Sequence, residues 1–229
     1  GRPPEANRFV GSQDLEEGRL RPNPALAGQL GLSNDWLAKH CLHYCRQLES
    51  HNKQRLFLWP YHVLLGSRGH DLAGVVDQAR LFHAFARGAT NRPILKGDNP
   101  LSERYSVFGE EVTQGFDGRS IPGAVAQDQL MDSLLSADLI LVAGLASSHC
   151  VRASVEDLLD AIEARKPEMA QRLYLLEDCT APVVIPGGPD FTDEAESAMA
   201  ALSRRVLRRV KSEEPMDSWP GPAGKEKES

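Results

Sequence analysis

The sequence predicts a three-layer α/β protein, in which helices cover both faces of a parallel sheet. Segments with strand-like and helix-like patterns alternate along the chain, and this alternation is typical of parallel sheets. Residues 138–144, DLILVAG, form a continuous apolar run bounded by small residues, as expected of a strand buried on both faces. Parallel sheets place their sites beyond the carboxyl ends of the strands, so functional side chains are expected just after strands.

Composition narrows the class of protein. With 229 residues, of which 41% are hydrophobic and 25% charged, the chain has the size of one globular domain. The formal net charge of −6 argues against nucleic acid as a partner. No apolar stretch approaches the ~20 residues that cross a bilayer, so no membrane association is expected. Four cysteines are too few for a disulfide scaffold and indicate a reducing, cytoplasmic location.

The first half of the chain predicts two helices and a short strand. Residues 1–31, rich in Pro, Gly, Asn and charge, are predicted to be an irregular surface loop. Ser33 or Asn34 caps a helix to about Ser50, whose buried stripe contains Leu37, Cys41, Tyr44, Cys45 and Leu48. Residues 56–62, LFLWPYH, are a short apolar run, and residues 93–97, PILKG, a short strand. Residues 71–87 have a helical period whose inward-facing members are Leu72, Val75, Val76, Ala79 and Phe82.

The second half continues the alternation. Residues 127–135 form a short helix, and the strand at residues 138–144 leads into a helix that buries Val151, Val155, Leu158, Leu159 and Ile162. Residues 172–178, RLYLLED, are the next strand, and Thr192 opens a last helix. Arg204, Arg205, Arg208 and Arg209 lie at helical spacing and are predicted to form a solvated face. Residues 1–214 are therefore one domain, and residues 215–229 a tail with a disordered end.

The strongest candidate for chemistry is Cys150, which follows the buried strand across a small-residue turn and opens the next helix. A helix N-terminus presents unpaired N–H groups and partial positive charge, which favour a thiolate and can hold an oxyanion. The same position suits a small buried cysteine, and position alone leaves the two interpretations evenly balanced.

Other candidate residues have more ordinary explanations. Lys96 ends a predicted strand and can orient a nucleophile or stabilise negative charge, but on position alone a solvated lysine is the favoured explanation. His62 closes residues 56–62, where a metal-ligand or acid–base role competes with the commoner structural role of a single histidine. Cys41 and Cys45 lie on a buried helix stripe, with no second Cys/His pair at zinc-finger spacing, and are assigned to the core. Cys179 is assigned a structural role.

Several motifs, taken in order, resemble the isochorismatase-like cysteine hydrolases, and within them the nicotinamidase branch. They are WPYHVLLGSRG at residues 59–69, ILKG at residues 94–97 followed by RYSVFGEE at residues 104–111, and GLASSHCV at residues 144–151. LLEDCTAP, at residues 175–182, fits the strand after the nucleophile helix. The resemblance extends over about residues 56–182.

This resemblance implies a Rossmann-like fold and hydrolysis of a small-molecule amide, such as nicotinamide, by a Cys–Asp–Lys triad. It implies that Cys150 is the nucleophile and Lys96 the triad lysine. It further implies an oxyanion hole made by the N–H groups of Ala146 and Cys150, beside a cis Leu145–Ala146 peptide. His62 is implied as one ligand of a divalent metal, often zinc, and a homo-oligomer is left open.

The sequence departs from that family at several positions. The family's first strand, which carries the base aspartate in a DxQ-like motif, has no counterpart in these residues, nor has the next loop with its DxH pair of metal ligands. Asp14 lies in a charged loop and is not assigned the base role. Val63 replaces a cysteine that commonly follows the histidine, and Ser148–His149 replaces an acidic–aromatic pair.

Two functions of different class follow. The first is a nicotinamidase-like cysteine amidohydrolase shown without its N-terminal part, and the second is a non-catalytic homologue that binds a ligand or partner. An upstream apolar strand ending in DxQ and followed by DxH would favour the enzyme. The 229 residues alone are expected to be inactive on nicotinamide and to hold metal poorly, because the base is lacking and His62 is a single ligand.

Overall fold

The structure is a computed structural model that describes residues 5–50, 55–90, 93–124 and 126–222. Its α-helices are α1 (Ser12–Glu16), α2 (Pro24–Gln29), α3 (Asn34–Ser50), α4 (Gly74–Arg87), α5 (Asp128–Leu135), α6 (Cys150–Arg165) and α7 (Thr192–Arg204). Its strands are β1 (Arg8–Phe9), β2 (Phe57–Leu58), β3 (Ile140–Val142), β4 (Leu173–Leu176) and β5 (Arg208–Val210). Within the described ranges, no helix is both long enough and apolar enough to cross a membrane.

A parallel sheet with the order β3-β4-β5 forms the centre of the fold. Ile140 pairs with Leu173 at the start of the first ladder, and Tyr174 pairs with Arg208 at the start of the second. Helix α6 connects β3 to β4, and α7 connects β4 to β5. The α/β fold predicted from the alternation of strands and helices is confirmed.

Side chains of β4 alternate between two packed clusters because successive residues of a strand point to opposite faces. Leu173 and Leu175 belong to the main core, which includes residues of α5, α6 and α7. The predicted stripe of α6 is confirmed, since Val151, Val155, Leu158, Leu159 and Ile162 are all buried. Tyr174 faces the other way and packs with Val210 and Trp219.

The segment after β5 covers this second face of the sheet. The ring of Trp219 lies 5.6 Å from that of Tyr174, whose hydroxyl donates to the carbonyl of Pro220 at 2.8 Å. Trp219 and Pro220 therefore contact the sheet, which was not predicted for the tail at residues 215–229. The predicted disordered end, residues 223–229, lies outside the described residues.

Helix α3 organises a second apolar cluster in the N-terminal part. The Ser33 hydroxyl accepts a hydrogen bond from the N–H of Trp36 at 3.1 Å, which confirms the predicted start of the helix. On the predicted stripe, Leu37, Tyr44, Cys45 and Leu48 are buried, and Cys41 is half-buried. The prediction that residues 1–31 are an irregular loop was wrong, because this region contains β1, α1 and α2. Strand β1 pairs antiparallel with β2, apart from the parallel sheet.

The arginine-rich segment after α7 is a strand rather than the continuation of a helix. Val210 of β5 is buried, while Arg209 reaches Glu177 at 2.9 Å and Glu196 at 3.5 Å. Arg205, just past α7, forms ion pairs with acidic side chains of α6. Arg205 and Arg209 are thus paired with carboxylates, whereas Arg208 donates to the Pro220 carbonyl at 3.2 Å, and the predicted helical spacing was wrong.

Burial was wrongly predicted at one edge of the molecule. Strand β3 pairs only with β4 in the described part, so Leu141 is 45% exposed rather than buried on both faces. Residues 93–97 are not assigned as a strand, because a strand requires a hydrogen-bonded neighbour. Helix α4 forms as predicted, yet none of its residues is buried. Its apolar stripe has no packing partner among the described residues.

Val206 is strained at the end of α7. Its φ is +85°, in the region that favours glycine, and Leu207 N–H donates to the Leu202 carbonyl at 3.2 Å. These features define the helix-ending motif in which glycine usually occupies the position of Val206.

Val206→Gly should raise the free energy of unfolding by about 1 kcal/mol, since relief of left-handed strain exceeds the added chain entropy. Little packing is lost, because Val206 is 42% exposed. Urea unfolding followed by circular dichroism measures the change. Val184→Gly, at an exposed position without positive φ, is the matched control and should destabilise. Equal loss of stability in both variants would contradict the assignment.

Candidate active site

The turn between β3 and α6 places Cys150 at the first position of a 16-residue helix. Gly144 begins this turn with a φ of +113°, and its N–H donates to the Cys179 carbonyl at 2.9 Å. Ser147 N–H donates to the Ala181 carbonyl at 2.9 Å, which ties the turn to the loop after β4. The Leu145–Ala146 peptide in the same turn is cis. The turn that carries Cys150 is therefore tied by two backbone hydrogen bonds to the loop after β4.

Lys96 reaches Cys150 across 54 residues of sequence. Its Nζ donates to Cys150 Sγ at 3.1 Å and to the backbone carbonyl of Arg104 at 2.9 Å. An ammonium group beside a thiol favours the thiolate, which is the nucleophilic form. The structure thus brings together the two residues that the sequence singled out at separate strand ends.

Two backbone N–H groups near Cys150 are available to a ligand. The N–H groups of His149 and Val151 both donate to the Ala146 carbonyl at 3.0 Å. In the part of the chain that the structure describes, the N–H groups of Ala146 and Cys150 donate to no acceptor. Free donors at a helix N-terminus can hold a developing oxyanion, so these two residues keep their predicted role as candidates.

Among the described residues, His62 belongs to no group of three or more side chains that could hold a metal ion. Its Nδ1 lies 2.7 Å from the carbonyl of Pro60, which leaves Nε2 as the atom that can bind a metal. Across the described ranges, no group of three or more His, Cys, Asp or Glu side chains could hold a metal ion. A protein zinc site normally needs three or four protein ligands. The residues described here do not fit a metal, and we derive no chemical step through one.

Aromatic side chains surround His149, the residue before Cys150. Its ring, 4% exposed, lies 5.3 Å from Trp59, 5.5 Å from Tyr105 and 4.8 Å from Phe191. Trp59 Nε1 donates to the Tyr105 hydroxyl at 3.2 Å. Burial lowers the pKa of His149 to about 4, with a smaller contribution from Arg152, so the ring is neutral at pH 7. Sequence reasoning noticed His149 only as a departure from a motif.

Glu103, which has a buried carboxyl oxygen, directly precedes Arg104, whose carbonyl accepts from Lys96. Burial, and to a lesser extent Glu111, raises the pKa of Glu103 to about 8. The Glu103 N–H donates to the Tyr44 hydroxyl at 2.8 Å, and its carbonyl accepts from Glu111 N–H at 2.9 Å. Glu103 is therefore protonated at pH 7 and adds no negative charge beside Arg104. A glutamate within a polar segment gives no sequence signal of this burial.

No base carboxylate adjoins the sulfur in the described residues. Neither Cys150 nor Lys96 is hydrogen-bonded to a carboxylate there. Asp14 accepts from Gly11 N–H at 3.1 Å and from Arg19 Nε at 2.7 Å, and these partners hold its pKa below the ordinary value. Asp14 thus stabilises the start of α1, in agreement with leaving it out of the site.

The four cysteines, all free thiols, differ in their surroundings. Burial raises the pKa of both Cys41 and Cys45, the latter to about 12. Cys179 is exposed, and Cys150 is half-buried beside Lys96. The core assignment of Cys41 and Cys45 agrees with this burial.

No family model and no curated protein matches the chain. Among solved structures, it is similar to the yeast nicotinamidase Pnc1p bound to the inhibitor nicotinaldehyde, with 18% identity over 69% of this chain and 61% of that chain and a TM-score of 0.44. It is also similar to PnC1 from L. infantum in complex with nicotinate, with 25% identity over 72% of this chain and 65% of that chain and a TM-score of 0.41. A pyrazinamidase of Pyrococcus horikoshii in complex with zinc gives 19% identity, 72% and 67% coverage and a TM-score of 0.39.

The yeast structure is described as a nicotinamidase and the Pyrococcus horikoshii structure as a pyrazinamidase. The chain spans about six-tenths of the length of the yeast structure, 61%. The parallel three-stranded sheet with its connecting helices agrees with the α/β fold class predicted from the sequence.

Cys150 should be the thiol that iodoacetamide alkylates fastest, because Lys96 favours its thiolate. Peptide mass spectrometry after graded labelling gives the rate for each cysteine. Lys96→Met should slow the alkylation of Cys150 and leave the alkylation rate of Cys179 unchanged, which makes Cys179 the internal control. Faster labelling of Cys41, Cys45 or Cys179 than of Cys150 would contradict the assignment.

Glu103→Gln should remove a pH dependence of stability. The pKa of Glu103 is about 8 in the folded chain against an ordinary value of 4.5, so between these values unfolding releases a proton and stability falls as pH rises. Wild type should therefore lose stability relative to the variant across this window, by at most about 1.4 kcal/mol per pH unit for one proton. Urea unfolding from pH 5 to 8 measures the difference.

The exposed Glu168→Gln variant is the matched control and should stay parallel to wild type throughout that pH range. Parallel curves for wild type and Glu103→Gln would show that Glu103 is ionised in the folded chain.

Proposed function

We propose that this chain carries the nucleophile and the supporting lysine of a cysteine amidohydrolase of the nicotinamidase type. The observation that supports this most directly is the 3.1 Å contact between Lys96 Nζ and Cys150 Sγ at the N-terminus of α6. Two free N–H groups, of Ala146 and Cys150, lie in the same turn. A nucleophile, a cation and an oxyanion site together favour acyl transfer over simple binding.

The proposed reaction begins with the attack of the Cys150 sulfur on the carbonyl carbon of a carboxamide. The carbonyl oxygen becomes an oxyanion, which accepts hydrogen bonds from the N–H groups of Ala146 and Cys150. The C–N bond then breaks, and the NH₂ group leaves as ammonia with the proton that the thiol gave up. Water adds to the resulting thioester, its hydroxyl joins the acyl carbon, and its proton returns to sulfur.

Within this reaction, Lys96 stabilises the thiolate and positions it. Its second bond, to the Arg104 carbonyl at 2.9 Å, fixes the ammonium group on the side of Cys150. The lysine donates to both partners, and in this proposal it does not take the thiol proton. A separate base is required, and the resemblance assigns it to an aspartate in a segment that these residues lack.

The small substrate we propose is an aromatic carboxamide such as nicotinamide. The yeast structure contains nicotinaldehyde as an inhibitor, and the L. infantum structure contains nicotinate. In this chain, Trp59 and Tyr105 belong to the aromatic group next to the nucleophile turn. Flat apolar surfaces of this kind suit an aromatic ring attached to the reacting carbonyl.

An aldehyde probe tests nucleophile and oxyanion site without needing the base for turnover. The Cys150 sulfur should add to nicotinaldehyde labelled with ¹³C at its carbonyl carbon. The NMR resonance of that carbon should then move into the range of a hemithioacetal. Cys150→Ser should abolish the signal, whereas Cys179→Ser should retain it. Absence of an adduct in folded wild type would favour the non-catalytic, ligand-binding alternative.

Ammonia release gives the second test of the proposal. The 229-residue chain alone should release no ammonia from nicotinamide, because among its described residues no carboxylate is hydrogen-bonded to Cys150 or Lys96. A longer chain that includes an upstream DxQ segment should release ammonia, and Lys96→Met in that chain should lower turnover far more than stability. Robust release by the 229-residue chain would show that one of its own residues supplies the base.

A further inference from the structure

His149 connects the two backbone segments that determine the Lys96–Cys150 contact. On one side it is joined to Cys150 by a peptide bond, so their Cα atoms are about 3.8 Å apart and share one rigid plane. On the other side its ring packs against Tyr105 at 5.5 Å, and Tyr105 follows Arg104 directly. The Arg104 carbonyl and the Cys150 sulfur are the two groups to which Lys96 Nζ donates.

The backbone and side chain of His149 are both firmly held. Its N–H donates to the Ala146 carbonyl at 3.0 Å, and its carbonyl accepts from Ala153 N–H at 2.8 Å. Nδ1 lies 2.8 Å from Ser148 Oγ, which also accepts from the N–H of Val183 at 3.0 Å. A displacement of the ring would therefore be transmitted to the turn that carries Cys150.

We propose that His149 is a positioning residue of the candidate site: its ring, packed on Tyr105, sets the spacing between Cys150 and the Arg104 carbonyl, and so places Lys96 against the sulfur. The inference rests on the proposed role of Cys150 as nucleophile. Its test uses thiol chemistry alone, so that it can fail independently of the proposed amide hydrolysis. Because the ring acts through shape, phenylalanine should replace it and leucine should not.

A double-mutant cycle between position 149 and Lys96 tests this coupling. The measured quantity is the rate of Cys150 alkylation by iodoacetamide at pH 7, determined by peptide mass spectrometry in folded protein. His149→Leu retains apolar volume and should slow alkylation roughly tenfold, within the range found for contacting residues. Lys96→Met should slow wild type by a similar factor and should have little further effect in the His149→Leu background.

Two further variants complete the experiment. His149→Phe should keep the wild-type rate of Cys150 alkylation and the slowing of that rate by Lys96→Met. If His149 had a purely structural role, its substitutions would change only the stability of the protein. His83→Leu, on the exposed helix α4, is the matched control. It should change neither the rate of Cys150 alkylation nor the effect of Lys96→Met on that rate. Three outcomes would overturn the proposal. They are a wild-type rate of Cys150 alkylation in His149→Leu, additive effects of His149→Leu and Lys96→Met on that rate, and a slow rate in His149→Phe.

Discussion

The ammonium group of Lys96 is the interaction on which the candidate site depends. It joins the carbonyl of Arg104 to the sulfur of Cys150, and so connects a loop to the carboxyl end of the sheet. Residues 93–97 are not held by a strand ladder, so a side chain rather than a backbone ladder ties this segment to the rest of the site. Backbone hydrogen bonds hold the turn that carries Cys150 in place. Lys96 supplies the positive charge beside the sulfur and connects this turn to the Arg104 carbonyl.

Periodicity predicted those elements that pack against neighbours present in the described chain. Helix α6 is buried along its predicted stripe, because the strands that it connects lie beneath it. Strand β5 was missed since it has three residues, two of them arginines, and only Val210 is buried. The burial of α4 was mispredicted for a different reason: an amphipathic pattern identifies the apolar face of a helix but not whether another element covers it.

The site was partly predictable, because chemistry in parallel sheets follows strand ends. That rule selected Cys150 and Lys96, yet an ordinary explanation was equally good for Cys150 and better for Lys96 until the distance between them was known. The burial of Glu103 could not be deduced, since it depends on partners far along the chain, such as Tyr44. The role of His149 was likewise hidden, because its aromatic neighbours come from three distant segments.

The three tryptophans of the chain occupy three different packed regions. Trp36 stacks on His40 at 4.9 Å in the N-terminal cluster, Trp59 hydrogen-bonds beside the candidate site, and Trp219 covers Tyr174 on the sheet. Each indole therefore has a different environment: a histidine ring, a tyrosine hydroxyl or a tyrosine ring. Chains that retain one tryptophan at a time would give separate fluorescence signals for each region, and would show whether the N-terminal cluster and the sheet melt as one cooperative unit or as two.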